Sequence, residues 1–179
     1  MTRLALIIAV ALIFSTVVLS EAYEFGNNWP WGSCASCPKN KQVYKHTGHD
    51  TSGNKVGQKV YFRRSGVVKS IHLDSKGWGY IVVFESNSTS FNIIHLKDVA
   101  VKVGKSYKVT DNKGIYVGKV ADLSKKGAVP HIHVSQASTS FDKKKEPWFW
   151  AGGLPQCNGN NLPAFPWKYV PPDNDLVRF

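Results

Sequence analysis

The sequence contains no H-E-x-x-H run, which excludes the helical arrangement in which two histidines one turn apart hold zinc beside a glutamate base. It has only three cysteines in 179 residues. Cys34-Ala-Ser-Cys37 followed by Cys157 alone cannot complete a four-cysteine zinc ribbon, and no thioredoxin-like βαβ pattern surrounds the C-x-x-C pair to make it a redox motif. Amphipathic helices of convincing length, internal repeats and low-complexity segments are absent. So are zinc-finger, RNA-recognition and helix-turn-helix patterns, which removes the usual grounds for a specific nucleic-acid partner. Acidic residues are scarce, 12 against 23 Lys and Arg, giving a formal net charge of +11.

Residues 1–22 read as a secretory signal, with Arg3 as the positive region, Leu4 to Leu19 as the apolar run and Ser20-Glu21-Ala22 as a small-x-small cleavage site. The run is short for a membrane anchor and no stop-transfer pattern follows it. The expected product is secreted, soluble and monomeric, with no transmembrane anchor after cleavage. Removing Arg3 and Glu21 together leaves the charge at +11. Such a charge attracts polyanions in general, including teichoic acids, anionic lipid, sulfated glycans and nucleic acid, without choosing among them. Lys143-Lys-Lys145 and Lys125-Lys126 are its densest patches. An odd cysteine count fits an oxidising compartment and leaves one thiol over. A bridge from Cys34 or Cys37 to Cys157 would close a loop of about 120 residues and contribute a few kcal/mol; the spacing leaves the choice open. Asn87-Ser-Thr89 is a glycosylation sequon placed on a turn.

From Val56 to Ser135, short runs rich in Val, Ile, Tyr and Phe are broken by Gly, Asn, Asp and Ser, which predicts an all-β domain. Strands are expected over 59–63, 66–72, 79–85, 90–95, 106–109, 118–121 and 131–136. Several sit in turn-linked pairs, so antiparallel sheets folded into a small sandwich or half-barrel are the natural architecture. The single domain, 23–137, is followed by 138–179, whose composition differs. Proline at the density of Pro163-Ala-Phe-Pro-Trp-Lys-Tyr-Val-Pro-Pro172 opposes regular structure. An irregular aromatic extension packed on the domain is expected, anchored by Trp148, Trp150 and Trp167. Trp29-Pro-Trp31 is read in the same way.

Chemistry concentrates in His46-Thr-Gly-His-Asp50, Ile94-His95-Leu96 and His131-Ile-His133. Imidazole nitrogen and carboxylate oxygen are zinc donors, and a hydrolytic zinc site commonly uses three of them and keeps a fourth position for water. Residues four apart on an extended strand are separated by about 13 Å. His46 and Asp50 can therefore share an ion only if the chain folds back between them, and Gly48 lies where it would bend. In His131-Ile-His133 the spacing of two places both rings on one strand face without saying which one binds. Singly, each motif has a plainer reading: a polar loop, a half-exposed strand face, a core-edge histidine with a satisfied hydrogen bond. His49 and His72 have no place in the set.

In that order, H-x-G-x-D, His-Leu and H-x-H resemble the lysostaphin-type zinc metallopeptidases, which cleave peptides of bacterial peptidoglycan. The flanks are similar too: Gly57-Gln-Lys-Val60 with Ser65-Gly-Val-Val68, Gly77-Trp-Gly-Tyr-Ile-Val-Val83, and Val101-Lys-Val-Gly104. The resemblance spans roughly residues 40 to 137. It implies a groove on one sheet holding one Zn2+ on His46, Asp50 and His133, with His95 and His131 serving the water and the substrate carbonyl. It also implies peptidoglycan as the partner, in wall remodelling or antibacterial lysis, and the cationic surface would concentrate the protein on the associated anionic wall polymers. Two positions depart from the family pattern: Thr51, where an apolar residue is usual, and Ser135, where an acidic one follows soon after H-x-H. Groups behind metal ligands orient them, and altering such groups can weaken affinity about 10- to 100-fold. The alternative is a catalytically inactive, cationic protein that binds wall polymers or other polyanions on the same scaffold.

Overall fold

The computed structural model describes residues 34–36, 43–51, 53–142 and 169–179, with the backbone alone over 34–36 and 43–45. The signal segment, Cys37, Cys157, the Lys143–Lys145 patch and the proposed tryptophan anchors lie outside the described residues. Twelve strands are described: β1 (Cys34–Ser36), β2 (Val43–Lys45), β3 (His49–Asp50), β4 (Lys59–Phe62), β5 (Gly66–Leu73), β6 (Tyr80–Ser86), β7 (Thr89–Lys97), β8 (Ser106–Tyr107), β9 (Ile115–Val120), β10 (His133–Ala137), β11 (Tyr169–Val170) and β12 (Val177–Arg178). The only helical element among the described residues is one 3-10 turn, Ser124–Lys126. No described helix is long and apolar enough to cross a membrane.

The chain is all-β. β1 and β2 form a separate antiparallel ribbon, and the other ten strands form one open antiparallel sheet with the path β12-β4-β9-β7-β6-β5-β8. On the side of β7 away from β6, β10 takes the first half of the strand and β9 the second, and β10 in turn carries β3 and β11. The sheet curls so that alternate residues of β4, β6, β7, β9, β10 and β12 meet in one core. Val60, Phe62, Val82, Phe84 and Ile93 are fully buried there, and the Phe62 and Phe84 rings lie 4.5 Å apart. Each such side chain contributes roughly 1.5–3 kcal/mol by leaving water. The opposite face of β6 and β7 bears a smaller cluster of Ile81 and Val83 with Tyr169, to which Ile94 and Phe141 add.

The long strands fall where Val/Ile runs predict them, with ends displaced by one to three residues. Strands of two or three residues, β1, β2, β3, β11 and β12, carry no readable period. Two of these belong to the extension expected to be irregular: β11 pairs Tyr169 with Ala137, and β12 pairs Val177 with Phe62. His131 lies just before β10 instead of on it. The β6–β7 hairpin turns through Asn87 and Ser88, both with positive φ (47° and 58°), so the sequon sits at an exposed hairpin tip.

β7 changes partners at His95. Ile94 pairs with His133 of β10, Leu96 pairs with Val120 of β9, and His95 between them has φ 69°. Across the hairpin the β6 register slips between Tyr80 and Val82. A bulge of this kind re-aims a side chain, and the left-handed conformation of His95 is one that a non-glycine residue adopts at a cost. The backbone of His95 is held there by Ala121, whose N–H donates to its carbonyl at 2.8 Å.

Candidate metal centre

β3 and β10 bring the donors together. Asp50 pairs directly with His133, so the two side chains emerge side by side. His46 reaches them because the chain folds back through Thr47 and Gly48. A Cβ on Gly48 would strike the Val134 carbonyl oxygen and lie 2.6 Å from Nε2 of His133. Glycine is therefore required by close approach of the loop to β10, whereas the sequence suggested only a bend.

Three atoms converge. His46 Nε2 is 2.9 Å from His133 Nδ1 and 3.2 Å from Asp50 Oδ1, and His133 Nδ1 is 3.0 Å from the same oxygen. In a tetrahedral zinc site with bonds of about 2.0 Å, neighbouring donors lie about 3.3 Å apart. The triangle has edges close to that value, and its N, N, O donor set suits zinc. Of the described residues, only these three form a group able to hold a metal ion. His49, on the other side of β3, and His72, on β5, are not in it.

The electrostatics suit a cation. Burial pushes His133 down to about 4, against the raising effect of its Asp50 contact and with help from neighbouring His46, so the ring is neutral at pH 7. A metal ligand must be deprotonated in this way. Burial alone would raise Asp50, but its contacts with His133 and His46 outweigh this and hold the carboxyl well below the usual carboxylate range. A neutral His133 ring beside an ionised Asp50 carboxylate gives the partly buried pocket anionic character.

The other two histidines flank the triad. The His95 and His131 rings are 4.6 Å apart, His131 Nε2 is 3.7 Å from Asp50 Oδ1, and the His95 ring is 6.4 Å from that of His133. Each is set by a backbone carbonyl: His95 Nδ1 bonds to Trp78 O at 2.9 Å and His131 Nδ1 to Val129 O at 2.8 Å. A carbonyl can only accept, so Nδ1 carries a proton in both rings, and a ring that is neutral keeps its lone pair on Nε2. Burial, then the nearby His131, drives His95 down to about 3, with the Trp78 bond opposing. His95 is thus a neutral base at neutral pH.

The fold matches known structures. The chain is similar to the catalytic domain of the antimicrobial peptidase lysostaphin from Staphylococcus simulans, at 23% identity over 65% of this chain and 82% of that one, with a TM-score of 0.51. This chain has the lysostaphin catalytic-domain fold. It is also similar to lysostaphin from the same organism in a longer form, at 20% identity and a TM-score of 0.54 over 79% of this chain, and there it spans 56% of the other chain's length. No protein-family model matches the sequence, and no curated protein matches it.

Within this lysostaphin fold the two departures have definite surroundings. Ser135 is buried and accepts a hydrogen bond from Asn92 Nδ2 at 3.1 Å. It supplies no charge to the histidines. Thr51 is also buried, and its hydroxyl accepts the N–H of Ile132 at 2.9 Å. Neither contact is visible in the sequence, nor are the carbonyls that fix the tautomers, because backbone groups carry no residue signature.

Proposed function

We propose that this chain is a secreted zinc endopeptidase of the lysostaphin type that hydrolyses peptide bonds in bacterial peptidoglycan, in stem peptides or cross-bridges. The observation that carries the reading is the convergence of His46 Nε2, Asp50 Oδ1 and His133 Nδ1 on one point of a lysostaphin fold. Those residues would hold the zinc. When bound, the ion supplies Lewis acidity and lowers the pKa of a water to about 7.

The rest is done by the chain. With Nδ1–H committed to Val129, His131 presents a basic Nε2 beside Asp50, placed to take a proton from the attacking water. Having taken it, the same nitrogen becomes an N–H donor. His95, fixed by Trp78 and 4.6 Å from His131, sets a second neutral imidazole beside that ring, and the protonated His131 Nε2 can donate to the developing oxyanion and then release its proton to the leaving amine. No glutamate base is needed. The +11 charge draws the protein to anionic walls without selecting the bond that is cut.

The test is metal content of the purified protein together with release of free amines from peptidoglycan, with and without a chelator. About one zinc per chain with chelator-sensitive release is the expected result. Zinc without release from any of several wall types would leave the wall-binding alternative in front. Absence of zinc after loading with excess metal would remove the ligand assignment. His133→Ala is expected to lose metal and activity together, and His131→Ala to keep zinc while turnover falls at least 100-fold.

A further inference from the structure

Between His131 and His133 the backbone of Ile132 is gripped from one side by a single residue. Thr51 N–H donates to Ile132 O at 2.9 Å, as the next rung of the β3–β10 ladder would require. The reciprocal rung is formed differently, because Ile132 N–H donates at 2.9 Å to Thr51 Oγ1. The side chain stands in for the backbone acceptor and allows the chain to leave β3. The hydroxyl, in turn, donates to Asn54 Oδ1, which fixes its rotor. Thr51 and Asn54 are both buried, 3% and 7% exposed, so neither bond is exchanged with water at the surface. Thr51 directly follows Asp50, and Ile132 joins His131 to His133. One clamp therefore ties the carboxylate donor to the segment bearing an imidazole donor and the neighbouring base.

We propose that Thr51, backed by Asn54, is a positioning residue for the metal centre, setting the distance between Asp50 and the His131–His133 segment through the Ile132 amide. The inference rests on the zinc reading above and extends it to a residue that touches neither metal nor substrate. It also turns the departure at position 51 from a missing apolar contact into a polar replacement. A branched apolar residue there would fill the same space but leave the Ile132 N–H buried without this acceptor.

The experiment compares Thr51→Val and Thr51→Ser with the parent protein. Zinc affinity is read by competition with a chromophoric chelator, and ligand geometry by the visible spectrum of the cobalt-substituted protein. Ile132 amide exchange is followed in the metal-free state. Thr51→Val is expected to weaken zinc binding about 10- to 100-fold, alter the cobalt bands and speed Ile132 exchange. Thr51→Ser, which keeps the hydroxyl, is expected to stay within about threefold of the parent in affinity, with an unchanged cobalt spectrum. Parental zinc affinity in folded Thr51→Val, or a tenfold loss in Thr51→Ser, overturns the assignment while leaving the zinc reading intact. A parent protein that binds zinc no better than His133→Ala overturns the zinc reading itself, and the positioning role with it.

Discussion

Neutral histidines packed beside a buried carboxylate make the site sensitive to acid. His133 and His95 take up protons at about 4 and about 3 in the folded chain, against 6.5 when unfolded. As pH falls below 6.5 the unfolded state binds protons that the folded state refuses, so stability declines with falling pH down to those folded-state values. Asp50 acts in the same direction lower on the scale: its depressed folded value contributes stability above 3.8 that is lost below it. The metal-free protein should therefore show a urea midpoint that drops steadily from pH 7 to pH 4.5. Zinc should raise the thermal midpoint at pH 7 and still do so at pH 5, since His133 and Asp50 are unprotonated in the folded chain at both. A midpoint indifferent to pH over that range would contradict the buried neutral state. At this scale the grouping of His46, Asp50 and His133 was legible, because histidines and an aspartate at close spacing are rare enough to notice. The assignment of roles was not, since Nδ1 of His133 faces Asp50 only through strand pairing, and the Trp78 and Val129 carbonyls leave no trace in residue identity.

Strands and turns carry the next set of consequences. The fold-back that delivers His46 depends on the space above Gly48, where a methyl group would collide with the backbone of β10. Gly48→Ala should cost on the order of 1–3 kcal/mol in denaturant unfolding and reduce zinc affinity more than tenfold, which calorimetry or chelator competition would detect. The β6–β7 hairpin offers the opposite change. Ser88 holds a left-handed conformation (φ 58°) that glycine adopts freely. Ser88→Gly should therefore stabilise the fold by about 1 kcal/mol, while keeping Asn87 and Thr89 of the sequon. Strands longer than four residues were legible from their Val, Ile and Phe content, and the hairpin from its Asn-Ser tip. β3 was not: two residues, His49 and Asp50, form a strand only because β10 is there to pair with them. The bulge at His95 was equally hidden, being imposed by β9 and β10 competing for one edge.

For the molecule as a whole, the decisive feature is how residues 169–179 add short strands to the open sheet, β11 on β10 and β12 on β4. Leu176 is fully buried in the core, Arg63 N–H donates to its carbonyl at 2.9 Å, and Arg64 contacts both Asp173 and Asp175 at the surface. These contacts are unequal in weight. Leu176→Ala should cost about 2–5 kcal/mol, whereas Arg64→Ala, which removes a partly exposed ion pair, should cost under about 1 kcal/mol; equilibrium unfolding in urea separates the two. The all-β class could be anticipated from composition. That the extension would supply strands could not, because proline-rich stretches conceal two-residue pairings with partners far away in sequence. The pairing of Val177 with Phe62 also sets an order in time. While the chain is being made, β4 has no neighbour on one side until residue 177 has been added, long after His46, Asp50 and His133 exist. An intermediate of synthesis therefore presents an open strand edge that can pair with other chains. Slowing translation between β10 and β12 should lengthen that exposure, and aggregation during production should rise with it.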